Sequence, residues 1–298
     1  MQLEDLMFRP GLMADETILV TGGGTGLGYQ MAEACLALGA KVAIVGRRDA
    51  VLQDAAARMM EAHGGFVLPV TCDIRDEVSI NAMLDSVWSG CGAPTGLVNN
   101  AAGNFISRTE DLSPKGFDAI ANIVFRGTFL TTLACGKRWL AEGRRASVIS
   151  ILTTWVWNGS AFVVPSAMSK AGIAAMTQSL AVEWGGRGVR FNAIAPGPFP
   201  TEGMTARLKP GEAGEAYADM RHNPLGRVGR MPELANLAVY LLHPGSEYVN
   251  GQVIAIDGGE YQATGGNFSA LRAWTDEQWN EARQSIRSTD AREKGTAA

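Results

Sequence analysis

The chain has 298 residues, 46% of them hydrophobic, and a formal net charge of −4. That length and apolar share suit one α/β domain with a substantial core. The mild acidity and lack of like-charge runs argue against a duplex-sized basic surface, so nucleic acid is not an expected partner. The first 16 residues carry four acids and no apolar h-region, so they read as a short arm, not a signal peptide. We read no uninterrupted apolar stretch of membrane-spanning length, and a membrane is not an expected partner. Cys35, Cys72, Cys91 and Cys135 are widely spaced and form no C-x-x-C pair. They read as reduced thiols of a cytoplasmic protein, and no metal-ligand set is expected.

In chain order, a β-rich run at Thr17–Val20 leads into the glycine-rich turn Thr21–Gly28 (TGGGTGLG) and a helical pattern over Tyr29–Leu38. Backbone N–H groups at such a helix start, with about half a positive charge from the helix dipole, point at whatever lies above the turn. Glycine is required because a side chain would hold a pyrophosphate off those donors. Gly22, Gly24, Thr25, Gly26 and Leu27 are therefore the expected cradle. The strand Val42–Val45 ends at Gly46-Arg47-Arg48, where an NAD-binding fold would place an acid against the ribose 2′-hydroxyl. Two cations there point to a 2′-phosphate, hence NADP(H), with charge-assisted contacts of roughly 1.5–3 kcal/mol each.

The helix Val51–His63 and strand Phe66–Thr71 come next. Asp73, just beyond, is placed to accept from an adenine amino group, although by itself it reads as a cap for the helix Asp76–Trp88. The strand Gly96–Val98 runs into Asn99-Asn100-Ala101-Ala102-Gly103, whose small residues let a ribose approach the backbone. Pro114–Leu140 reads as one long helix with proline in its first turn. Further strands at Ser147–Ile151, Arg190–Ala195 and Val253–Ile256 alternate with helices Ala167–Trp184 and Pro232–Leu242. About seven parallel strands with helices on both faces make a single-domain, Rossmann-type, doubly wound α/β fold over residues 17–260. Residues 197–229 are too long for an ordinary connection and read as a loop covering a site. The 261–298 extension should open a helix at a capping box, Thr275-Asp276-Glu277-Gln278, and fray past Ser288.

Taken together, these motifs resemble the short-chain dehydrogenases/reductases, whose glycine spacing is the Gly22-x-x-x-Gly26-x-Gly28 seen here. Within them the chain looks most like the 2,4-dienoyl-CoA reductases, through NNAAGNFIS (Asn99–Ser107), GSAFVVPSAMSKAG (Gly159–Gly172), AVEWGGRGVRFN (Ala181–Asn192), PGPFPTEG (Pro196–Gly203) and NFSALRAWTDEQW (Asn267–Trp279). The resemblance implies an NADPH-dependent reductase of a conjugated acyl-CoA. It adds Asn100 and Ala101, Lys170 at the nicotinamide ribose, and Pro196, Gly197 and Phe199 beside the nicotinamide. It places Asn104 and Phe105 at the thioester and acyl chain, Ser113 at the substrate, Arg75 and Arg207 near the coenzyme A, and Ser166 one turn before the lysine.

The departure is Trp155, which stands where the dienoyl-CoA reductases have a tyrosine, while Val124 replaces a relay asparagine. An indole donates a hydrogen bond but does not titrate. Losing the phenol therefore disfavours carbonyl reduction more than conjugated-alkene reduction, in which Asn104, Trp155 and Thr153 can hold charge on the thioester oxygen. Trp155 reads first as an aromatic wall of the acyl pocket. Two other readings stay open: another carbonyl or enoyl reductase using a tyrosine such as Tyr217, and an NADP-binding protein without turnover. The family resemblance further implies a homotetramer through the two long helices, with Phe125, Phe129, Leu133, Ile173, Met176 and Leu180 as contact positions.

Overall fold

Apolar runs without alternation become strands covered on both sides. The computed structural model describes residues 1–201, 223–264 and 268–284. These build one parallel seven-stranded sheet: β1 (Thr17–Thr21), β2 (Lys41–Gly46), β3 (Val67–Thr71), β4 (Gly96–Asn99), β5 (Ala146–Ile151), β6 (Val189–Pro196) and β7 (Val253–Ile256), in the order β3-β2-β1-β4-β5-β6-β7. Every residue of β1, β4, β5 and β6 is buried, which is why their sequences read as continuous apolar runs. The edge strands β3 and β7 are only partly covered, and Pro69 sits in edge strand β3, where its missing N–H costs no second ladder.

Helices α1 (Gly26–Ala37), α2 (Asp49–His63) and α8 (Met231–Leu242) pack Leu36, Leu52, Met59, Leu234 and Val239 against one face of the sheet. Helices α3 (Glu77–Gly90), α5 (Thr128–Glu142) and α7 (Val164–Gly185) cover the other with Ile80, Leu84, Cys135, Trp139 and Trp184. Each such fully buried large side chain contributes on the order of 1.5–3 kcal/mol. The strand order reverses between β1 and β4, the switch point where open α/β sheets bind their ligands at the carboxyl ends of the strands.

Three local expectations change. The helix expected over Pro114–Leu140 is α4 (Pro114–Ala121), a π-helical turn (Asn122–Gly127) and then α5. The wide turn coincides with Gly127 packed on Ile74, where an added Cβ would lie 2.8 Å from Ile74 Cδ1. Pro114–Glu142 is long enough and, with a mean hydropathy of 1.3 in its most apolar 18-residue window, apolar enough to cross a membrane by length and composition, although charged residues interrupt it; here it packs against α3, β4 and α7. Asp73 does not cap α3. Asp76 does, accepting from Ser79 N at 2.9 Å. Among the expected contact positions, Ile173 belongs to this chain's own core, buried with Val124 and Leu152, whereas Phe125 and Phe129 are exposed. The Thr275–Gln278 capping box is present, with Thr275 N donating to Gln278 Oε1 at 2.9 Å and Gln278 N to Thr275 Oγ1 at 3.3 Å.

Candidate functional site

A cavity of about 1040 Å³ opens over the carboxyl ends of β1, β2 and β4. Gly22, Gly24, Thr25, Gly26, Arg47, Arg48, Asp73, Asn100 and Ala101 line it, as do Gln30, Ile74, Ile123 and Thr201, which carry no local sequence signal of a site. The glycine turn is held by its neighbours. Asn100 Nδ2 donates to the carbonyls of Thr21 (3.1 Å) and Gly22 (3.3 Å), while Thr21 Oγ1 accepts from Asn100 N (3.0 Å) and Ala101 N (3.1 Å). Gly22 has φ +67°, and a Cβ there would lie 2.9 Å from Asn100 Nδ2. The turn is thus a cradle that only glycine leaves open, and its size suits a dinucleotide. Asn100 and Thr21 set its shape, a role the sequence signals only as polar residues flanking a glycine run. Leu27 turns away and packs against the core.

Arg47 and Arg48 are exposed at the cavity, and neither has an ion-pair partner among the described residues. Asp73 is tied to Arg75: its Oδ1 accepts from Arg75 N (3.1 Å) and Nε (2.9 Å), and its Oδ2 from Arg75 Nη2 (2.5 Å). The Arg75 guanidinium holds the Asp73 carboxyl below its ordinary value, with Arg47 adding to the effect. Arg75, expected near coenzyme A, therefore reaches the cavity wall through Asp73.

The loops after β4 and β5 form the second part of the site. Asn99 and Ser150 are register partners, so these loops leave the sheet side by side, and Ser107 N donates to Phe162 O at 2.9 Å farther out. Half-buried Asn104 turns its Oδ1 to Phe105 N (2.9 Å), and its NH₂ has no partner among the described residues. Phe105 is partly exposed. Thr153 Oγ1 accepts from Trp155 N at 3.2 Å, and Trp155 opens the short helix α6 (Trp155–Asn158), half-buried, its indole N–H without a partner among the described residues. On α7, Ser166 and Lys170 lie one turn apart on the buried face. The Ser166 hydroxyl has no partner among the described residues, and Lys170 Nζ donates to Ile151 O at the end of β5. Burial without a counter-ion pushes the Lys170 amine down to about 8.

Other expected residues fall elsewhere. Ser113 caps α4, its Oγ accepting from Gly116 N at 3.1 Å. Pro196 ends β6 and Gly197 packs on Asp257, where a Cβ would lie 2.6 Å from Asp257 Cβ. Phe199 is buried, its ring under Gly229. Arg207 and Tyr217 lie outside the described residues, as does most of the 197–229 loop. Tyr261, which no local signal connects with α6, stacks on Trp157 with ring centroids 4.5 Å apart. All four cysteines are free and buried; burial pushes Cys35 and Cys135 up to about 12, which makes them unreactive.

Comparison with known proteins finds relatives along most of the chain. Residues 22–260 match the family described as enoyl-(acyl carrier protein) reductase. An uncharacterized oxidoreductase of Caenorhabditis elegans is 43% identical over 98% of this chain and 95% of its own length. A second protein of that organism, named "Probable 2,4-dienoyl-CoA reductase 3" and described as (3E)-enoyl-CoA-producing, is 40% identical over 97% of this chain and 94% of its own. A short chain dehydrogenase from Bacillus anthracis superposes with a TM-score of 0.76 at 38% identity, covering 84% of this chain and 98% of that one. The Agrobacterium tumefaciens protein named "putative 2-deoxy-d-gluconate 3-dehydrogenase", solved with bound NADP, superposes at 0.75 with 28% identity, covering 88% of this chain and all of the other.

Proposed function

This chain belongs to the short-chain dehydrogenase/reductase family of oxidoreductases, and from that premise we propose that it reduces a 2,4-dienoyl-CoA with NADPH. The observation that carries the reading is the half-buried Asn104 amide, its NH₂ without a partner among the described residues, on the loop adjoining an indole at the position of the missing phenol. The similarity to a dienoyl-CoA reductase named above supports the same substrate class.

Bound NADPH supplies a hydride. The chain's residues do the rest. Gly22, Gly24, Thr25 and Gly26 would present the helix start to the pyrophosphate, and Arg47 and Arg48, without ion-pair partners among the described residues, would meet the 2′-phosphate. Lys170 would donate to the nicotinamide ribose. A conjugated thioester that accepts hydride at its far carbon develops negative charge on the thioester oxygen. The Asn104 amide, the Trp155 indole and the Thr153 hydroxyl hold that charge, one such donor being worth about 2.7–4 kcal/mol. Water then protonates carbon. Reducing a carbonyl would require a proton delivered to the oxygen itself, and neither Asn104 nor Trp155 titrates to do so.

The test is NADPH oxidation with a 2,4-dienoyl-CoA, a saturated acyl-CoA and a simple ketone. We expect turnover with the first alone, slower with NADH. The absence of oxidation above background with any dienoyl-CoA would remove the proposal. For assembly, the exposed Phe125, Phe129 and Val182 on the two long helices support a homotetramer, which sedimentation of the wild-type protein tests.

A further inference from the structure

Helix α6 is a single turn, held at its start by Trp155 N on Thr153 Oγ1 and closed by Gly159 N donating to Trp155 O at 2.9 Å. So short a helix has no stability of its own, and its orientation comes from what its side chains touch. Val156 packs on the core cluster of Ile120, Val124, Leu152 and Ile173. At about 100° per residue, Trp155 and Trp157 leave the turn on opposite flanks of that anchor. What holds Trp157 therefore sets where Trp155 sits.

Trp157 is held by Tyr261, the two rings stacked with centroids 4.5 Å apart and planes 18° apart. Tyr261 belongs to a second short helix, α9 (Glu260–Thr264), which follows β7 after one turn. That turn is a bracket fixed to the sheet. Buried Asp257 accepts from Gly259 N with Oδ1 and from Tyr261 N with Oδ2, both at 2.9 Å. Asn223, also buried, donates from Nδ2 to Asp257 O (2.8 Å) and to Glu260 Oε2 (3.1 Å). The Tyr261 hydroxyl has no partner among the described residues, so the ring face alone makes the contact with Trp157. With 44% of its surface still exposed, Trp157 adds little to the core, and what the stack contributes is direction.

We propose that Tyr261 is a positioning residue: by stacking on Trp157 it fixes the rotation of α6 about Val156 and so holds the Trp155 indole toward the thioester oxygen. The reaction it serves rests on the dienoyl-CoA reading above; the bracket rests on the stack and on the Asp257 and Asn223 bonds. A rotation of about 10° moves an atom at the roughly 5–6 Å side-chain radius of a helix by about 1 Å. A misplacement of that size in a reacting geometry can cost ~100-fold in rate.

The experiment pairs fluorine NMR of the whole protein, labelled with fluorotryptophan and saturated with NADP⁺, with steady-state kinetics. The Trp155 signal is the one that Trp155→Phe removes. Tyr261→Ala should shift and broaden that signal, and Tyr261→Phe, which keeps the ring face, should restore it. Trp157→Leu removes the other half of the stack and should act like Tyr261→Ala. In NADPH oxidation with a 2,4-dienoyl-CoA, Tyr261→Ala should lower kcat about 10-fold and leave the KM for NADPH within about twofold of wild type. In a Trp155→Phe background the same substitution should change kcat by less than about twofold, because it acts through Trp155. A Trp155 signal unmoved in both Tyr261→Ala and Trp157→Leu would overturn the proposal, as would a kcat loss that persists in full without the indole. A moved signal in a protein that never oxidises NADPH with a dienoyl-CoA would keep the bracket and remove the reaction. Normal turnover with an unmoved signal would do the reverse.

Discussion

The two ends of the site are made by different means. The glycine turn offers a ligand its backbone, and its geometry is held by Asn100 and Thr21 bonds to main-chain atoms. The ends of β4 and β5 offer side chains instead: an amide, an indole, two hydroxyls and a buried amine, several without partners among the described residues. A backbone cradle tolerates little change, because any Cβ occupies the ligand's space or the neighbour's. On the proposed reading, a side-chain cluster can exchange a phenol for an indole and keep its fold while changing which reactions it favours. The contrast teaches why cofactor recognition and reaction type can diverge within one architecture.

The sharpest way to break that contrast is Gly22→Val. The residue sits at φ +67° with Asn100 Nδ2 2.9 Å from the new Cβ, so we expect NADPH affinity to fall at least about 100-fold, with melting also lowered. Retention of near-wild-type affinity in a titration would show that the cradle is not backbone-limited. Next comes the buried amine. Lys170 in the folded chain sits at about 8 against an ordinary 10.5, so between those values the unfolded state holds a proton that the native state has released. The Lys170 contribution to stability should therefore be lowest, and level, below pH about 8, and should rise with pH through that window by up to about 3 kcal/mol, while the buried thiols of Cys35 and Cys135 act in the opposite direction above pH about 9. Lys170→Met removes only the first contribution, so the difference in denaturant midpoint between wild type and variant should change across the window. Midpoints of the two that run parallel from about pH 7 to 10 would contradict the assignment.

At the cofactor's phosphate end, Arg47→Ala should weaken NADPH by roughly 10–100-fold and leave NADH almost unchanged, as expected for one charge-assisted phosphate contact. Equal losses for both cofactors would remove the 2′-phosphate from this position. The mildest change tests the side-chain end. Trp155→Tyr restores a titrating hydroxyl, and we expect dienoyl-CoA turnover to rise about 10-fold and a slow carbonyl reduction to appear. If Trp155→Tyr and Trp155→Phe behave alike in steady-state kinetics, position 155 is only a wall.

Much of the fold is legible in the sequence, for a physical reason. Strands buried on both faces must be apolar along their whole length, so Thr17–Thr21 and Ala146–Ile151 announce themselves to within a residue. The glycine turn is equally local. The π-helical turn at Asn122–Gly127 is not legible, because nothing in NIVFRG departs from helical spacing; its neighbour Ile74 arrives from the loop after β3. Asp73 looks like a cap because it precedes a helix, yet the cap is Asp76 and Asp73 is held by Arg75. Ile173 looks like an interface residue because it is apolar on a long helix, and it faces this chain's own core.

The amino-acid sequence alone determined the order of strands and helices, the glycine turn, the cations after β2 and the absence of a phenol at position 155, since each is written within a few consecutive residues. Only the folded chain decided that Asn100 braces the turn, that Arg75 spends its charge on Asp73, and that Tyr261 comes to rest on Trp157. Such pairings depend on which segments the sheet and its crossovers bring into contact, and residues far apart in the chain carry no mark of one another until packing joins them.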